Sequence, residues 1–228
     1  MPWIVTMDWI DALFLHWPVA PAVVRDRIPA GVAVDTFGGD AWVSIVAFRI
    51  AGARLRGVPH ALAMRTFPEV NVRTYVVHDG HPAVWFLSLD ADSTLACALG
   101  RTFAKLAYQR ARASVVADAD RTSYRFERTQ RDAPAARFEA VADAPGGERP
   151  AAVNTVDAWL VERLSFVTVE RGRVLRVDVA HAPWPLREPS RVDIAGNTLL
   201  DAARVSAAGA HALAHVSRGV SVRAWPPR

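Results

Sequence analysis

The clearest pattern in the chain is the strict alternation of polar and aliphatic residues from Phe67 to Val76. Successive side chains of a β-strand point to opposite faces, so this segment is predicted to be a strand with one aliphatic, core-facing side. The opposite face carries Glu69, Asn71, Arg73 and Tyr75. This polar face is either a solvated surface, which antiparallel sheets commonly present, or the lining of a pocket.

Two hairpins are predicted from their turn residues. Asp79-Gly80 is a strong hairpin signal, so residues 70–77 and 83–90 are expected to pair antiparallel. A second hairpin is expected between residues 165–169 and 174–181, with its turn through Arg171-Gly172-Arg173. Further strands are predicted at residues 13–17 and 41–50, within 114–139, and at 213–225.

A helix is predicted from Ser93 to about Leu106, with Asp92 as its N-cap. Its apolar residues recur at helical spacing and are expected to pack on the sheet: Leu95, Leu99, Phe103 and Leu106. A second helix is expected to open at Asn154 or Thr155, and a short helical patch near residues 198–204.

Composition narrows the classes of protein that fit. The chain has 228 residues, 51% of them hydrophobic, which is enough for a substantial core in one domain spanning residues 1–228. All but one of its 27 basic residues are arginines, and they are interleaved with acids rather than clustered, so we expect no nucleic-acid partner. The single Cys97 excludes an internal disulfide. No basic residue precedes Arg25, and prolines interrupt the early uncharged run, so we expect a cytoplasmic protein without a membrane partner.

The histidines and glycines offer few sites for metals or cofactors. His78 and His81 flank a predicted turn without a third ligand, and His211 and His215 would lie roughly 13 Å apart on a strand, so we expect no metal. No glycine motif fits a dinucleotide or P-loop site, and we expect no cofactor. His181, at the end of a predicted strand, is a candidate pocket histidine, with a hydrogen-bonded core histidine as the equal alternative.

Six ordered segments carry a family resemblance, and together they cover nearly the whole chain. They are Leu15-His16-Trp17-Pro18, Asp35-Thr36-Phe37 with Ala41-Trp42-Val43, Phe67 to Val76, Val84 to Asp92, His181 to Leu186, and Ser217-Arg218-Gly219-Val220. In these segments the chain resembles the YqjF-like bacterial family, the domain of unknown function numbered 2071. That family resembles, more distantly, the acetoacetate decarboxylase superfamily, whose members bind small oxo-acids inside a cone-shaped β-barrel.

The resemblance implies roles for particular residues. Phe67-Pro68-Glu69-Val70 is similar to the superfamily's strand with its active-site glutamate, which implies that Glu69 lies in the pocket. The segment from Gly100 to Tyr108 is similar to the one that leads to the Schiff-base lysine, but the lysine position falls on Tyr108. Lys105, three residues earlier, is expected to point to solvent and to form no imine. Decarboxylation through an imine needs an amine, so the defining chemistry is expected to be lost.

We therefore predict an α+β fold dominated by a curved or closed antiparallel sheet, with a few helices packed outside. Glu69 and Tyr108 are the candidate catalytic residues, for proton transfer and for stabilising negative charge. The candidate substrate-binding residues are Arg73, Asn71, Tyr75, His181 and His16.

We expect Arg73 to face Glu69 or another acid when the cavity is empty. The predicted ligand is a small molecule with an anionic group. The sequence is compatible with a homo-oligomer but does not predict one. The leading function is a cofactor-independent lyase, hydratase or isomerase acting on a small carboxylate or carbonyl compound. A non-catalytic ligand-binding or sensing protein is the first alternative, and a scaffold whose polar strand is only surface is the second.

Overall fold

The structure is a computed structural model that describes residues 1–207 and 209–228. Strands dominate it: β1 Val5–Val19, β2 Ala33–Val34, β3 Ala41–Leu55, β4 Phe67–His78, β5 His81–Ala91, β6 Tyr108–Asp118, β7 Arg121–Arg128, β8 Arg137–Asp143, β9 Ser165–Glu170, β10 Arg173–Ala180, β11 Leu186–Arg187, β12 Arg191–Asn197 and β13 Leu213–Ala224. The α-helices are short: α1 Pro21–Arg25, α2 Thr94–Leu99, α3 Val156–Val161 and α4 Leu199–Ala202. A 3₁₀ turn spans His60–Leu62 and a π-helical turn spans Gly100–Ala104.

Seven of the strands close into a ring, in the order β4, β5, β9, β10, β13, β1, β3 and back to β4. The pairings are antiparallel except between β5 and β9, where Val84 and Trp85 pair with Phe166 and Val167 in parallel. The ring closes because β5 pairs with β4 along one edge and with β9 along the other. The predicted β-dominated, curved or closed sheet with few helices is confirmed, and it is antiparallel apart from the pairings of β5 with β9 and β6.

A second sheet of β6, β7, β8 and β12 leaves the ring where β6 pairs in parallel with the end of β5. One core group joins Leu13 and Val72 of the ring to Tyr124, Phe126 and Phe138 of this second sheet. It therefore lies between the outer face of the ring and the second sheet.

The other core group lies on the inner side of the ring. It combines Phe14, Val46 and Tyr75 with Leu160 of α3 and Val222 of β13. Helix α3 begins after Thr155, which is one of the two residues predicted to open it. The hydroxyl of Thr155 accepts a hydrogen bond from the amide N–H of Ala158 and so caps the helix. This helix contributes its buried residues to the ring interior.

Both predicted hairpins are confirmed. The register of β4 and β5 runs from Glu69 opposite Ala91 to His78 opposite His81. Asp79 and Gly80 both have positive φ, as the right-handed twist of a two-residue hairpin requires. The β9–β10 hairpin turns in the same way through Arg171 and Gly172.

The helix predicted over residues 93–106 is wrong in length and orientation. Ser93 rather than Asp92 caps α2, and the left-handed Lys105 ends the π-helical turn that follows it. Of the four residues expected to pack on the sheet, Leu95, Leu99 and Phe103 are exposed and Leu106 is partly buried, whereas Cys97 is buried. The π-helical turn widens the spacing, so residues on either side of it no longer share one face. None of the helices in the described part of the chain is long and apolar enough to cross a lipid bilayer.

Candidate active site inside the strand ring

The polar face of β4 lies inside the ring of strands. Glu69 and Asn71 are each 4% exposed, Tyr75 is fully buried, and Arg73 is partly buried. The interpretation of this face as a solvated surface is therefore wrong. Its polar groups must instead find partners inside the ring, because a buried polar group without a hydrogen bond is costly.

The buried Glu69 and the partly buried Tyr108 form a hydrogen-bonded pair. The phenol at the start of β6 donates to Glu69 Oε2 over 2.7 Å. Burial raises the pKa of Glu69 to about 7, against the hydrogen bonds from Tyr108 and Asn71, and the charge of Asp90 raises it further. Burial and the nearby Glu69 carboxylate raise the pKa of Tyr108 well above its usual value. Glu69 can therefore take up or release a proton near neutral pH, while Tyr108 stays a donor.

Gly100 makes room for this pair. A Cβ atom on Gly100 would lie 2.5 Å from two carbon atoms of the Tyr108 ring. The glycine has ordinary helical φ, so its role is steric rather than conformational. The sequence shows a glycine here but gives no sign that a ring eight residues later packs on it.

Lys105 lies outside the Glu69 cluster. Its ammonium pairs with Glu170 over 2.9 Å, and its side chain is about a third exposed, at 31%. Its backbone carbonyl accepts the hydroxyl of Thr168. The lysine is thus anchored to β9 at the surface, and the phenol of Tyr108 occupies the contact with Glu69.

The raised pKa of Glu69 predicts a pH-dependent loss of stability. Its pKa rises on folding from 4.5 to about 7, so the folded protein holds this proton more tightly than the unfolded chain. Stability relative to Glu69→Gln should fall as the pH rises from 4.5 to about 7 and then stay constant. The expected fall is about 3 kcal/mol, at about 1.4 kcal/mol per pKa unit. Urea denaturation of both proteins between pH 4.5 and 8 measures it.

The exposed Glu188 provides a control for this measurement. Glu188→Gln should show no comparable change relative to the wild type over the same pH range. A flat difference between wild type and Glu69→Gln would show that Glu69 titrates normally.

Arg73 does not face an acid, so that expectation is wrong. Its Nη2 donates to the carbonyl of Leu160 over 2.9 Å, and its guanidinium lies over the rings of Phe14 and Tyr75. The faces of these rings supply the negative potential that a carboxylate was expected to supply. Among the described residues its Nε has no hydrogen-bond partner. Along an extended strand, Arg73 starts roughly 13 Å from Glu69.

Tyr75 and His16 belong to a second polar cluster at the Arg73 end. The hydroxyl of Ser44 contacts Tyr75 Oη at 2.7 Å and His16 Nδ1 at 2.6 Å. His16 and Ser44 are opposite each other in the β1–β3 register. The predicted row of polar residues thus divides into a Glu69–Tyr108 cluster, with Asn71, and a Tyr75–His16 cluster, beside Arg73. Ser44 was missed by sequence reasoning, although alternation along β3 places it on the inner face.

His181 joins neither cluster. Its Nδ1 lies 2.8 Å from the carbonyl of Ala182, and its ring packs near Trp9 and Trp184. The side chain is only partly buried. The structure places this histidine in an aromatic group rather than against Glu69 or Arg73.

Two surface pockets lie elsewhere. One, of about 520 Å³, is lined by Asp157, His211 and His215 among others, and a second, of about 650 Å³, lies beside the C-terminus. None of the predicted site residues lines either pocket. Strand β13 begins at Leu213, as predicted, so His211 lies before it. Within residues 1–207 and 209–228, no group of three or more His, Cys, Asp or Glu side chains is arranged to hold a metal ion.

Comparisons with known proteins found a matching family and a similar bacterial protein. Residues 6–221 match the family DUF2071, described as an uncharacterized conserved protein. The uncharacterized protein YqjF of Bacillus subtilis (strain 168) is 35% identical over 226 residues, which are 99% of this chain and 92% of the relative.

Two solved structures are similar in fold. The enduracididine biosynthesis enzyme MppR, complexed with the condensation product of pyruvate and imidazole 4-carboxaldehyde, superposes with a TM-score of 0.68 at 14% identity, over 100% of this chain and 89% of that one. Acetoacetate decarboxylase from Legionella pneumophila superposes with a TM-score of 0.65 at 9% identity, over 99% and 88%. At these identities the likeness shows an acetoacetate-decarboxylase-like fold.

Proposed function

The chain belongs to the DUF2071 family of uncharacterized conserved proteins, and we propose that it binds a small oxo-acid inside the strand ring and moves a proton on it without a cofactor. The main support for this proposal is the hydrogen bond of 2.7 Å between Tyr108 and the buried Glu69, together with a Glu69 pKa of about 7. A carboxyl group of that pKa suits general acid–base catalysis at neutral pH.

The proposed step is removal of a proton from the carbon next to a carbonyl. The Glu69 carboxylate takes the proton, and the electron pair of the broken C–H bond moves into the carbonyl, which becomes an enolate. The Tyr108 hydroxyl turns from Glu69 to the enolate oxygen and stabilises it by a hydrogen bond. Return of the proton from Glu69 to another position completes an isomerisation, and related lyase or hydratase steps use the same two groups.

Lys105 takes no part in this proposal. An imine route needs an amine in contact with the carbonyl carbon, whereas this ammonium pairs with Glu170. The proposed chemistry therefore proceeds through an enolate rather than through an imine.

Arg73 supplies the proposed contact with the ligand's carboxylate. Its unpartnered Nε and single backbone hydrogen bond leave donors for an anion. The substrate class follows from this guanidinium and is supported by a fold neighbour whose structure contains pyruvate. Among the described residues its side-chain hydrogen bond goes to the carbonyl of Leu160, and in this proposal the guanidinium leaves the rings of Phe14 and Tyr75 to meet a ligand at Glu69.

A non-catalytic ligand-binding or sensing protein is the second candidate. The separation of roughly 13 Å between Arg73 and Glu69 along β4 favours it, because a small anion that stays against Phe14 and Tyr75 does not reach the Glu69 carboxylate. Turnover of a panel of oxo-acids distinguishes the two candidates.

Arg73→Lys should weaken the binding of pyruvate by about tenfold or more. A lysine ammonium cannot reproduce the planar, two-pronged contact of a guanidinium with a carboxylate. Glu69→Gln should leave the affinity within about twofold, because it keeps the size of the side chain and one oxygen that can accept from Tyr108. Isothermal titration calorimetry of the three proteins measures these affinities.

Arg125→Lys is the matched control for the titration, since Arg125 is exposed on the second sheet and pairs with Glu139. It should bind pyruvate like the wild type. Equal affinities for wild type, Arg73→Lys and Glu69→Gln would show that the inner face of β4 is not the binding site.

A further inference from the structure

A continuous chain of polar side chains leads from the ring interior to the surface pocket of about 520 Å³. From the inside it runs through Tyr75, Ser44, His16, His215 and Asp157. The two inner contacts are 2.7 and 2.6 Å, the contact between His16 Nε2 and His215 Nδ1 is 3.3 Å, and that between His215 Nε2 and Asp157 Oδ1 is 3.1 Å.

Asp157 sets the direction of these four hydrogen bonds, because an ionised carboxylate can only accept hydrogen bonds. His215 therefore donates to it through Nε2–H, which leaves Nδ1 as an acceptor. His16 then donates from Nε2–H to His215 and accepts on Nδ1 from the Ser44 hydroxyl. Ser44 in turn accepts from the phenol of Tyr75. Every donor points outward, and both imidazoles are neutral.

We propose that these five side chains form a proton relay between the ring interior and the surface pocket. In the outward step, Tyr75 Oη accepts a proton from a ligand and passes its own proton to Ser44. Ser44 passes a proton to His16 Nδ1, and His16 passes the proton of Nε2 to His215 Nδ1. One proton leaves the ligand, and His215 becomes an imidazolium paired with the Asp157 carboxylate.

The surroundings of His16 favour a residue that transfers a proton over one that stays protonated. It is fully buried, and burial, with repulsion from Arg73 and from His215 and His211 whenever these are protonated, holds its pKa well below the usual value. Its ring stacks on Phe14. A charged His16 is therefore only transient.

The surroundings of His215 favour release of the proton to solvent at the surface pocket. The pKa of His215 is below its usual value because the side chain is buried. Asp157 and Glu188 raise the pKa and so offset part of this effect, whereas Arg149 lowers it slightly. The side chain of Asp157 is 33% exposed and lines the surface pocket, so water reaches this end of the relay. The ionic pair with Asp157 stabilises the proton that arrives on His215.

The relay rests on the proposed function only for the origin of the proton, since Tyr75 lies under the guanidinium of Arg73, the proposed anchor of the ligand. The arrangement of the five side chains exists without a ligand. It can therefore be tested on the free protein, independently of any oxo-acid chemistry.

The test is the tautomer of each histidine, read from the ¹⁵N shifts of both ring nitrogens in long-range ¹H–¹⁵N correlation spectra. In the wild type, both His16 and His215 should carry hydrogen on Nε2. Asp157→Ala removes the acceptor that sets the direction, so both histidines should shift toward mixed tautomers. Glu188→Ala, which removes a carboxylate of the same pocket without a hydrogen bond to His215, should change neither.

The inner end is tested by Ser44→Ala, which should also change the ring shifts of His16. The control is Ser217→Ala, a fully buried serine whose hydroxyl accepts from Gly219 and takes no part in the relay. Ser44→Thr retains the hydroxyl and should restore the wild-type shifts. A His16 tautomer that does not respond to Asp157→Ala would overturn the relay, whether or not pyruvate binds or reacts.

Discussion

Replacing Glu69 by glutamine is expected to slow the exchange of the methyl protons of pyruvate with deuterated solvent by roughly 10²–10⁴-fold. Glutamine keeps the shape of the side chain and an oxygen that accepts from Tyr108, but it cannot take up a proton from carbon. The exchange is measured by the loss of the methyl signal in ¹H NMR spectra recorded with catalytic amounts of protein.

Tyr108→Phe probes the other half of the pair. It keeps the ring that packs against Gly100 and removes only the donor to the developing enolate, for which a loss of roughly 10²–10³-fold is expected. Together the two variants separate loss of the base from loss of the hydrogen-bond donor.

Lys105→Ala is the control for this reaction, because its surface pair with Glu170 lies outside the proposed chemistry. It should exchange protons at the wild-type rate. Borohydride trapping of pyruvate on Lys105, detected by mass spectrometry, would restore the decarboxylase hypothesis. A Glu69→Gln variant as fast as the wild type would refute the assigned base.

Replacing Arg128 by methionine is expected to destabilise the fold by about 3–5 kcal/mol. The guanidinium of Arg128 binds both carboxylate oxygens of Asp90 at 2.6 and 2.7 Å, and both side chains are almost fully buried. Methionine fills similar space but leaves Asp90 as an uncompensated buried charge. The free energy of unfolding in urea measures the loss.

Arg125→Met on the same strand is the matched control. Arg125 pairs with Glu139 but is 70% exposed, so its removal should cost less than about 1 kcal/mol. Equal losses in the two variants would show that the Arg128–Asp90 pair does not depend on its burial. Because the charge of Asp90 also raises the pKa of Glu69, Arg128→Met should raise that pKa further.

The hairpins were predictable because their determinants are local. Asp79-Gly80 adopts positive φ at both residues, and the alternation on each side sets the faces of β4 and β5. The cap of α3 was predictable for the same reason, since Thr155 bonds to an amide three residues later. These contacts all lie within one short stretch of sequence.

The partner that a side chain contacts from a distant part of the sequence was less predictable than these local contacts. The apolar spacing of residues 95–106 predicts a helix, but in the structure Cys97 packs inward against the carbonyls of Ala91 and Gln109, and Phe103 is exposed. Arg73 was expected to pair with an acid. Instead it donates a hydrogen bond to the carbonyl of Leu160 in α3, and its guanidinium lies over the rings of Phe14 and Tyr75.

The sequence by itself determined most of the strands, both hairpin turns and the set of polar side chains on one face of β4. The family resemblance implied that Tyr108 stands at the position of the superfamily's lysine. Only the tertiary structure decided that the strands close into a ring, which buries that face and divides it into the Glu69–Tyr108 cluster and the Tyr75–His16 cluster. The reason is physical: alternation specifies which face a side chain takes, whereas closure joins residues 39 positions apart, as in Glu69 and Tyr108, or 199 apart, as in His16 and His215. Such contacts depend on the register and curvature of the whole sheet, which no local period encodes.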